Sequence, residues 1–490
     1  MKEGELNQNS KIEIANCKSS DFLGIKQDEN YIKNTFISHI KSNLIIIILS
    51  IITIISEIIY RDALFEFSLD FEEDWQENSP KQIINFFKII TKFGGEYLMP
   101  VPIVFIFCFF SLIESSIYIF GLIFVLHFHS MMKIWYGSIR PFWKNKDLFQ
   151  EICDGGFGNP SGHSITSTYL YLMLFIYLSQ TKLLYKRYII QSLLFLLLLT
   201  LIILIILSRL ILGFHSINQV IYGSTLGLIM VLLISIVFKL NQMPVTYYKK
   251  LFKEKIYIII IFSLILFLSI FSIISNFAFD NKSTIKKYEK VLDEKCQNLP
   301  EYRKFNLDGL YGSFIIFCLL GMYSGQIVFW YLIDNNYKKN KKRKKIKSRN
   351  LDHNNSSVNE DIIGDTVEEE ENGTDNSDND DNDDADNENN RRIDELINNW
   401  NENRVLLFST CGRVIKIIFV VILCFTPPLL LLILIPDNIN MVTVFIFKFG
   451  IPFFSLTFLL YGFGFYHIIN ISCGPKKILL KQINKEDNIV

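Results

Sequence analysis

Residues 188–219 read YIIQSLLFLLLLTLIILIILSRLILGFHSINQ. The run from Tyr188 to Ser208 holds no charged residue. At 1.5 Å per residue it makes a helix of about 30 Å, the depth of a bilayer's hydrocarbon core. It ends on Arg209, and His215 follows after one short loop. A cation and an imidazole at the mouth of an apolar helix place polar chemistry at a membrane surface.

The rest of the chain repeats the pattern. Half of the 490 residues are hydrophobic, 43 are Phe, charged residues make up 20%, and the mean hydropathy is +0.28. These values exclude a disordered chain and a small disulfide scaffold, and they argue against an ordinary soluble enzyme. Apolar runs long enough to cross a bilayer are read at 43–60, 97–113, 116–135, 164–180, 188–208, 217–238, 256–276, 310–333, 414–435 and 441–466. The expected fold is an all-α, polytopic membrane helix bundle of about ten transmembrane helices. The second and third runs are divided by Glu114-Ser115-Ser116, which predicts a helical hairpin turning there. Pro427-Pro428 predicts a kink in the ninth, and Lys448 interrupts the tenth.

Charge in the loops sets the orientation. Lys182, Lys186 and Arg187 lie in one loop, and Lys239, Lys249, Lys250, Lys253 and Lys255 in another. Two crossings separate these loops, so both are expected on the cytoplasmic side. Loops 136–163 and 209–216 then face the lumen or the exterior. Cys153 and Cys296 fall on that outer side, where a disulfide between them competes with two free thiols. The eight Cys contain no CxxC spacing, so no zinc or redox motif is signalled. The equal counts of 49 basic and 49 acidic residues conceal two opposed blocks. Residues 338–349 hold nine Lys or Arg, and residues 350–390 hold sixteen Asp or Glu with no Lys or Arg. The basic block reads as a stop-transfer signal with a candidate contact to anionic lipid. The acidic block reads as disordered.

The expected division is a cytoplasmic N-terminal segment at 1–42, a membrane core at 43–240, and additional transmembrane helices with an outer loop at 241–335. A disordered basic and acidic cytoplasmic insert follows at 336–404, then C-terminal helices and a tail at 405–490.

Three stretches carry chemistry: Lys133-Ile-Trp-Tyr-Gly-Ser-Ile-Arg140-Pro141, Asn159-Pro160-Ser161-Gly162-His163, and Ser208-Arg209 through His215 to Gln219. Each lies at the end of an apolar run, and the topology puts all three ends on one face. As residue types they make an anion site. Lys133, Arg140 and Arg209 supply cations, and Arg offers planar paired donors that match phosphate oxygens. Ser161 adds a hydroxyl. The amides around Gly162 open a helix, whose N-terminus favours an anion. His163 and His215 can serve as acid and nucleophile toward a bound phosphoryl group. No cofactor and no metal is called for by this set.

The spacing Lys-x6-Arg-Pro, Pro-Ser-Gly-His and Ser-Arg-x5-His resembles the signature of the type-2 phosphatidic acid phosphatase family. Its superfamily includes lipid phosphate phosphatases, glucose-6-phosphatases, bacterial acid phosphatases and vanadium haloperoxidases. The signature spans residues 133–219, and the resemblance in helix layout spans about 90–240. It implies a six-helix core and a metal-independent phosphomonoesterase working through a phosphohistidine. His215 is then the nucleophile, and His163 the acid and later the base. Lys133, Arg140, Ser161, Gly162 and Arg209 hold the phosphate. The family usually carries Asp four residues after the nucleophile, where this chain has Gln219. A Gln carbonyl can still accept the imidazole N–H and orient it, without the charge. Thr91-Lys92-Phe93-Gly94 also resembles a family element near the site.

The favoured substrate is a lipid phosphate, either phosphatidate or a sphingoid-base phosphate, because the site sits at the bilayer edge. A sugar phosphate is the enzymatic alternative, prompted by Gln219 and the Cys153–His163 stretch, which resemble the glucose-6-phosphatase branch. A catalytically weak membrane scaffold is the non-enzymatic one. The expected partners are the bilayer and the phosphorylated substrate, with no nucleic acid. The expected location is the endoplasmic reticulum or plasma membrane, with the site on the lumenal or extracellular face. His127 and His129 lie close in sequence to Lys133, with His129 on its helical face. A packing role outweighs a site-lining one for both.

Overall fold

The computed structural model describes residues 29–335 except 96–97, 111, 146, 149–155, 182–183, 185, 238–244, 280–281, 296–311 and 313–314. It also describes 422, 424 and 450–464. The insert 336–404, most of the two C-terminal runs, Cys153 and Cys296 lie outside the described residues.

The described chain is all-α: α1 (Glu29–Asn78), α2 (Lys81–Ile90), α3 (Pro100–Phe109), α4 (Leu112–Tyr136), α5 (Pro141–Lys144), α6 (Gly162–Ser179), α7 (Tyr188–Ile211), α8 (Ile217–Val237), α9 (Val245–Lys253), α10 (Lys255–Ala278), α11 (Lys282–Lys295), α12 (Ile315–Asn335) and α13 (Ile451–Leu459). Among the described residues, six helical stretches are long and apolar enough to cross a membrane: Leu44–Asn78, Leu112–Lys144, Tyr188–Ile211, Ile217–Ile236, Lys255–Asn276 and Ile315–Asn335. The protein is an integral, multi-pass membrane bundle.

Three expectations change. The first run belongs to a 50-residue helix, α1, which continues far past residue 60. The second run is helical over only ten residues, because Pro100 and Pro102 open α3 and extended backbone at Phe110 closes it. Ten residues rise about 15 Å, so α3 alone is too short for a bilayer. The helix breaks at Phe110, and Glu114, Ser115 and Ser116 sit inside α4. Ser116 stays helical by returning its hydroxyl to the Leu112 carbonyl at 2.5 Å.

Side-chain contacts order the bundle end to end. Gly95, just before α3, lies against His163 at the start of α6. Phe110, just after α3, packs on Tyr177 near the end of α6, with ring centroids 5.7 Å apart. This segment therefore runs parallel to α6 along its length. α4 returns, α6 and α7 descend and return, and α8 descends again. α6 packs against α8, α7 and α4, and α1 lies along α8. The core is filled from α3, α4, α6, α8, α9 and α12, including Tyr118, Tyr169, Tyr177, Phe329 and Trp330. Around it, α7 and α10 expose apolar side chains such as Ile189, at 79%, and Leu197, at 66%. Water would penalise such surface at about 25 cal/mol per Å², whereas hydrocarbon accepts it. The same bundle puts Lys133, Arg140, His163, Arg209 and His215 at one end, and the basic α9 at the other.

Candidate active site

Arg140 begins the construction. It precedes Pro141, which opens α5, and its own backbone is extended. Phe142 and Trp143 are buried with Phe157 and Leu148, and Tyr288 stacks on Trp143 at 5.9 Å. That aromatic cluster fixes the base of Arg140. Its side chain is 0% exposed. Nε donates to the Gly156 carbonyl at 2.6 Å, and one terminal nitrogen donates to the Phe214 carbonyl at 3.2 Å.

The same nitrogen lies 3.3 Å from His215 Nε2. A guanidinium can only donate, so Nε2 must be the acceptor there. The imidazole proton then sits on Nδ1, which meets the Gly158 carbonyl at 2.9 Å and Gln219 Oε1 at 3.1 Å. Gln219 Nε2 in turn donates to the Ile139 carbonyl at 2.8 Å. His215 is 2% exposed. Burial first, then the charges of Arg140, Arg209 and Lys133, hold its imidazole well below the ordinary value of 6.5, while the Gln219 bond opposes them. All three cations named from sequence thus act on one imidazole.

The loop that presents His215 closes tightly. The Phe214 and His215 amides both return to the Arg209 carbonyl, at 3.0 and 3.2 Å. Gly213 makes that turn with φ of 68°, a conformation side chains resist. Arg209, in the last turn of α7, stacks on the Phe214 ring at 3.9 Å and donates to Thr91 Oγ1 at 3.1 Å.

Ser161 caps the start of α6 in extended conformation, and its hydroxyl accepts from Ser164 Oγ at 3.0 Å. The Ser161 amide donates to the Gln219 carbonyl at 3.0 Å, joining the second stretch to the third. Gly162 follows. A methyl placed on it would meet the His129 ring at 2.9 Å. His129 therefore lies directly behind the Ser161-Gly162 turn, closer to it than its sequence position implied. His127 bonds the Gly312 carbonyl at 3.0 Å. His163, half-buried, lies against the 91–95 turn: a methyl on Gly95 would sit 2.9 Å from its Nε2. That turn consequently touches both His163 and Arg209.

Glu57 escaped the reading of the sequence. It is a buried carboxylate on α1, and it accepts from Asn159 Nδ2 at 2.7 Å and from Asn218 Nδ2 at 3.2 Å. The signal was present as one acid inside an otherwise apolar run.

This arrangement gathers three cations around an imidazole whose Nε2 lone pair faces Arg140. The sequence pattern of the PAP2 superfamily matches residues 114–243. Over this segment the chain is similar to the PAP2 superfamily. That segment lies within a multi-pass membrane protein. The PAP2 segment runs from α4 through α8, and so includes every site residue named from sequence. No curated protein matches the chain. Among solved structures, the transmembrane PAP2-type phosphatidylglycerolphosphate phosphatase from Bacillus subtilis is similar at 18% identity. The match covers 42% of this chain and 97% of that one, with a TM-score of 0.35.

Proposed function

We propose that the protein hydrolyses phosphomonoesters without a metal, with a lipid phosphate as substrate. The observation that carries this reading is the tautomer of His215: Nδ1 is held by Gly158 and Gln219 while Nε2 faces the guanidinium of Arg140. A nucleophilic imidazole needs a free pair on one nitrogen and a fixed proton on the other.

The phosphate enters with its oxygens toward Lys133, Arg140, Arg209, Ser161 and the amides that open α6, displacing the Arg140 contact to Nε2. His215 Nε2 attacks phosphorus in line. The bond from phosphorus to the alcohol oxygen breaks, and His163 gives its proton to that oxygen. Water then attacks the phosphohistidine, His163 takes the water proton, and the P–N bond breaks to return neutral His215 and inorganic phosphate. The charge that develops on the phosphoryl oxygens is stabilised by the fixed cations. A lipid phosphate suits a site at the end of membrane helices, and the Lys-rich opposite end supports a lumenal or external position. Gln219 favours a sugar phosphate as the second reading, as in the glucose-6-phosphatase branch that the sequence resembles.

The test is phosphate release from phosphatidate, sphingosine-1-phosphate and glucose-6-phosphate, in detergent with chelator, by wild type and His215→Ala. Release from lipid alone supports the proposal, and release from glucose-6-phosphate alone moves it to the sugar branch. Release that chelator abolishes overturns the mechanism. No release from any substrate favours a scaffold.

A further inference from the structure

Glu57 is 6% exposed, thirteen residues into the apolar stretch of α1 that begins at Leu44. A carboxylate there is costly unless it is satisfied by donors. Its donors come from the two loops that carry the histidines. Asn159, two residues before Ser161, gives Nδ2–H to Glu57 Oε1 at 2.7 Å. Asn218 gives Nδ2–H to the same oxygen at 3.2 Å. Asn218 Oδ1 accepts from Ser216 Oγ at 2.6 Å, and Ser216 directly follows His215. Asn159, Ser216 and Asn218 are all buried.

We propose that Glu57 is a positioning residue that ties the His163 loop to the His215 loop through Asn159 and Asn218. One oxygen collects a donor from each loop, so neither can move without giving up a bond to the other's anchor. Loss of this tether leaves the cations that hold phosphate in place but lets the two imidazoles drift. Misplacement of about 1 Å costs rates on the order of 100-fold. The inference rests on the phosphatase reading for its kinetic consequence, while its structural consequence stands apart from it.

The test pairs kinetics with hydrogen–deuterium exchange on the full chain in detergent. Glu57→Ala is expected to lower kcat about 10- to 100-fold with KM within about threefold. Glu57→Gln keeps an acceptor oxygen in the same place and is expected to recover kcat to within about threefold. In Glu57→Ala, amide exchange should rise in both 156–164 and 212–220, with α10 unchanged. If Glu57→Ala does not accumulate, Asn159→Ala and Asn218→Ala each remove one arm, and exchange must rise in both loops for either variant. Wild-type kcat or unchanged loop exchange in the variant lacking the carboxyl overturns the proposal. So does a Glu57→Gln as slow as Glu57→Ala, since the charge would then matter and not the tether. Should wild type release no phosphate at all, the functional reading falls, and the exchange result still decides the tether.

Discussion

The two ends of the bundle both bury charge, and they settle it differently. At the α9 end, Lys249 and Lys253 close on Asp334, Lys249 at 3.6 Å, and Lys249 also lies 5.7 Å above the Trp330 ring. Tyr248, Gln326 and Ser116 continue a hydrogen-bonded chain across α9, α12 and α4. Charge meets opposite charge there, and the result is packing. At the other end, Arg140 donates to the neutral carbonyls of Gly156 and Phe214 and meets His215 Nε2, and Gln219 donates to the Ile139 carbonyl. Carbonyls hold a guanidinium in place while leaving its positive charge for an incoming anion. The difference is that the α9 end sets cations against an acid, while Arg140 also draws on backbone carbonyls and an imidazole.

That contrast predicts loss of rate at one end and loss of stability at the other. The largest effect is expected for His215→Ala, which removes the proposed nucleophile: phosphate release should fall by about 1,000-fold or more with melting temperature little changed. A variant with a rate within tenfold of wild type would break the comparison outright. Next is Gly162→Ala, whose methyl would press on the His129 ring at 2.9 Å. The α6 N-terminus must then shift, and kcat is expected to drop about 100-fold. Adding His129→Ala should restore part of that rate.

Gln219→Glu sharpens the electrostatic half of the contrast. It replaces the donor to the Ile139 carbonyl with an acceptor, at a cost of about 1–3 kcal/mol. It also sets a negative charge beside Nδ1, which stabilises the imidazolium. Wild-type His215 stays neutral to well below pH 6.5, so its protonation limits the rate only in acid. In the variant the acid limb of kcat/KM should move to higher pH, with activity at neutral pH about tenfold lower. An unmoved limb would mean that another group sets it. The smallest effect on rate is expected for Lys249→Met. Lys253 still meets Asp334, so activity should stay within about twofold while detergent melting temperature falls by a few degrees.

Much of this molecule is legible in the sequence for simple reasons. The uncharged run before Arg209 has the length of a bilayer crossing, and hydrocarbon tolerates few alternatives to a helix at that depth. Counting crossings between Lys-rich loops was enough to send Lys133, Arg140, Ser161 and Arg209 to one end. Less legible was the second run, where Pro100, Pro102 and the break at Phe110 leave a ten-residue helix that hydropathy alone reads as a full span. Hydropathy also gave no reason for α1 to continue to Asn78, because residues 61–78 are polar and are held by contacts such as Ser68 Oγ accepting from the Ile217 amide at 2.8 Å.

The sequence alone determined the membrane class and the residue types gathered at one end, because these follow from local composition and chain length. Only the tertiary structure decided that His129 lies behind Gly162, that Gln219 spends its amide on Ile139 and that Glu57 meets Asn159 and Asn218. Those contacts join residues up to 161 positions apart, and no local pattern specifies which side chains distant helices will bring within 3 Å of one another.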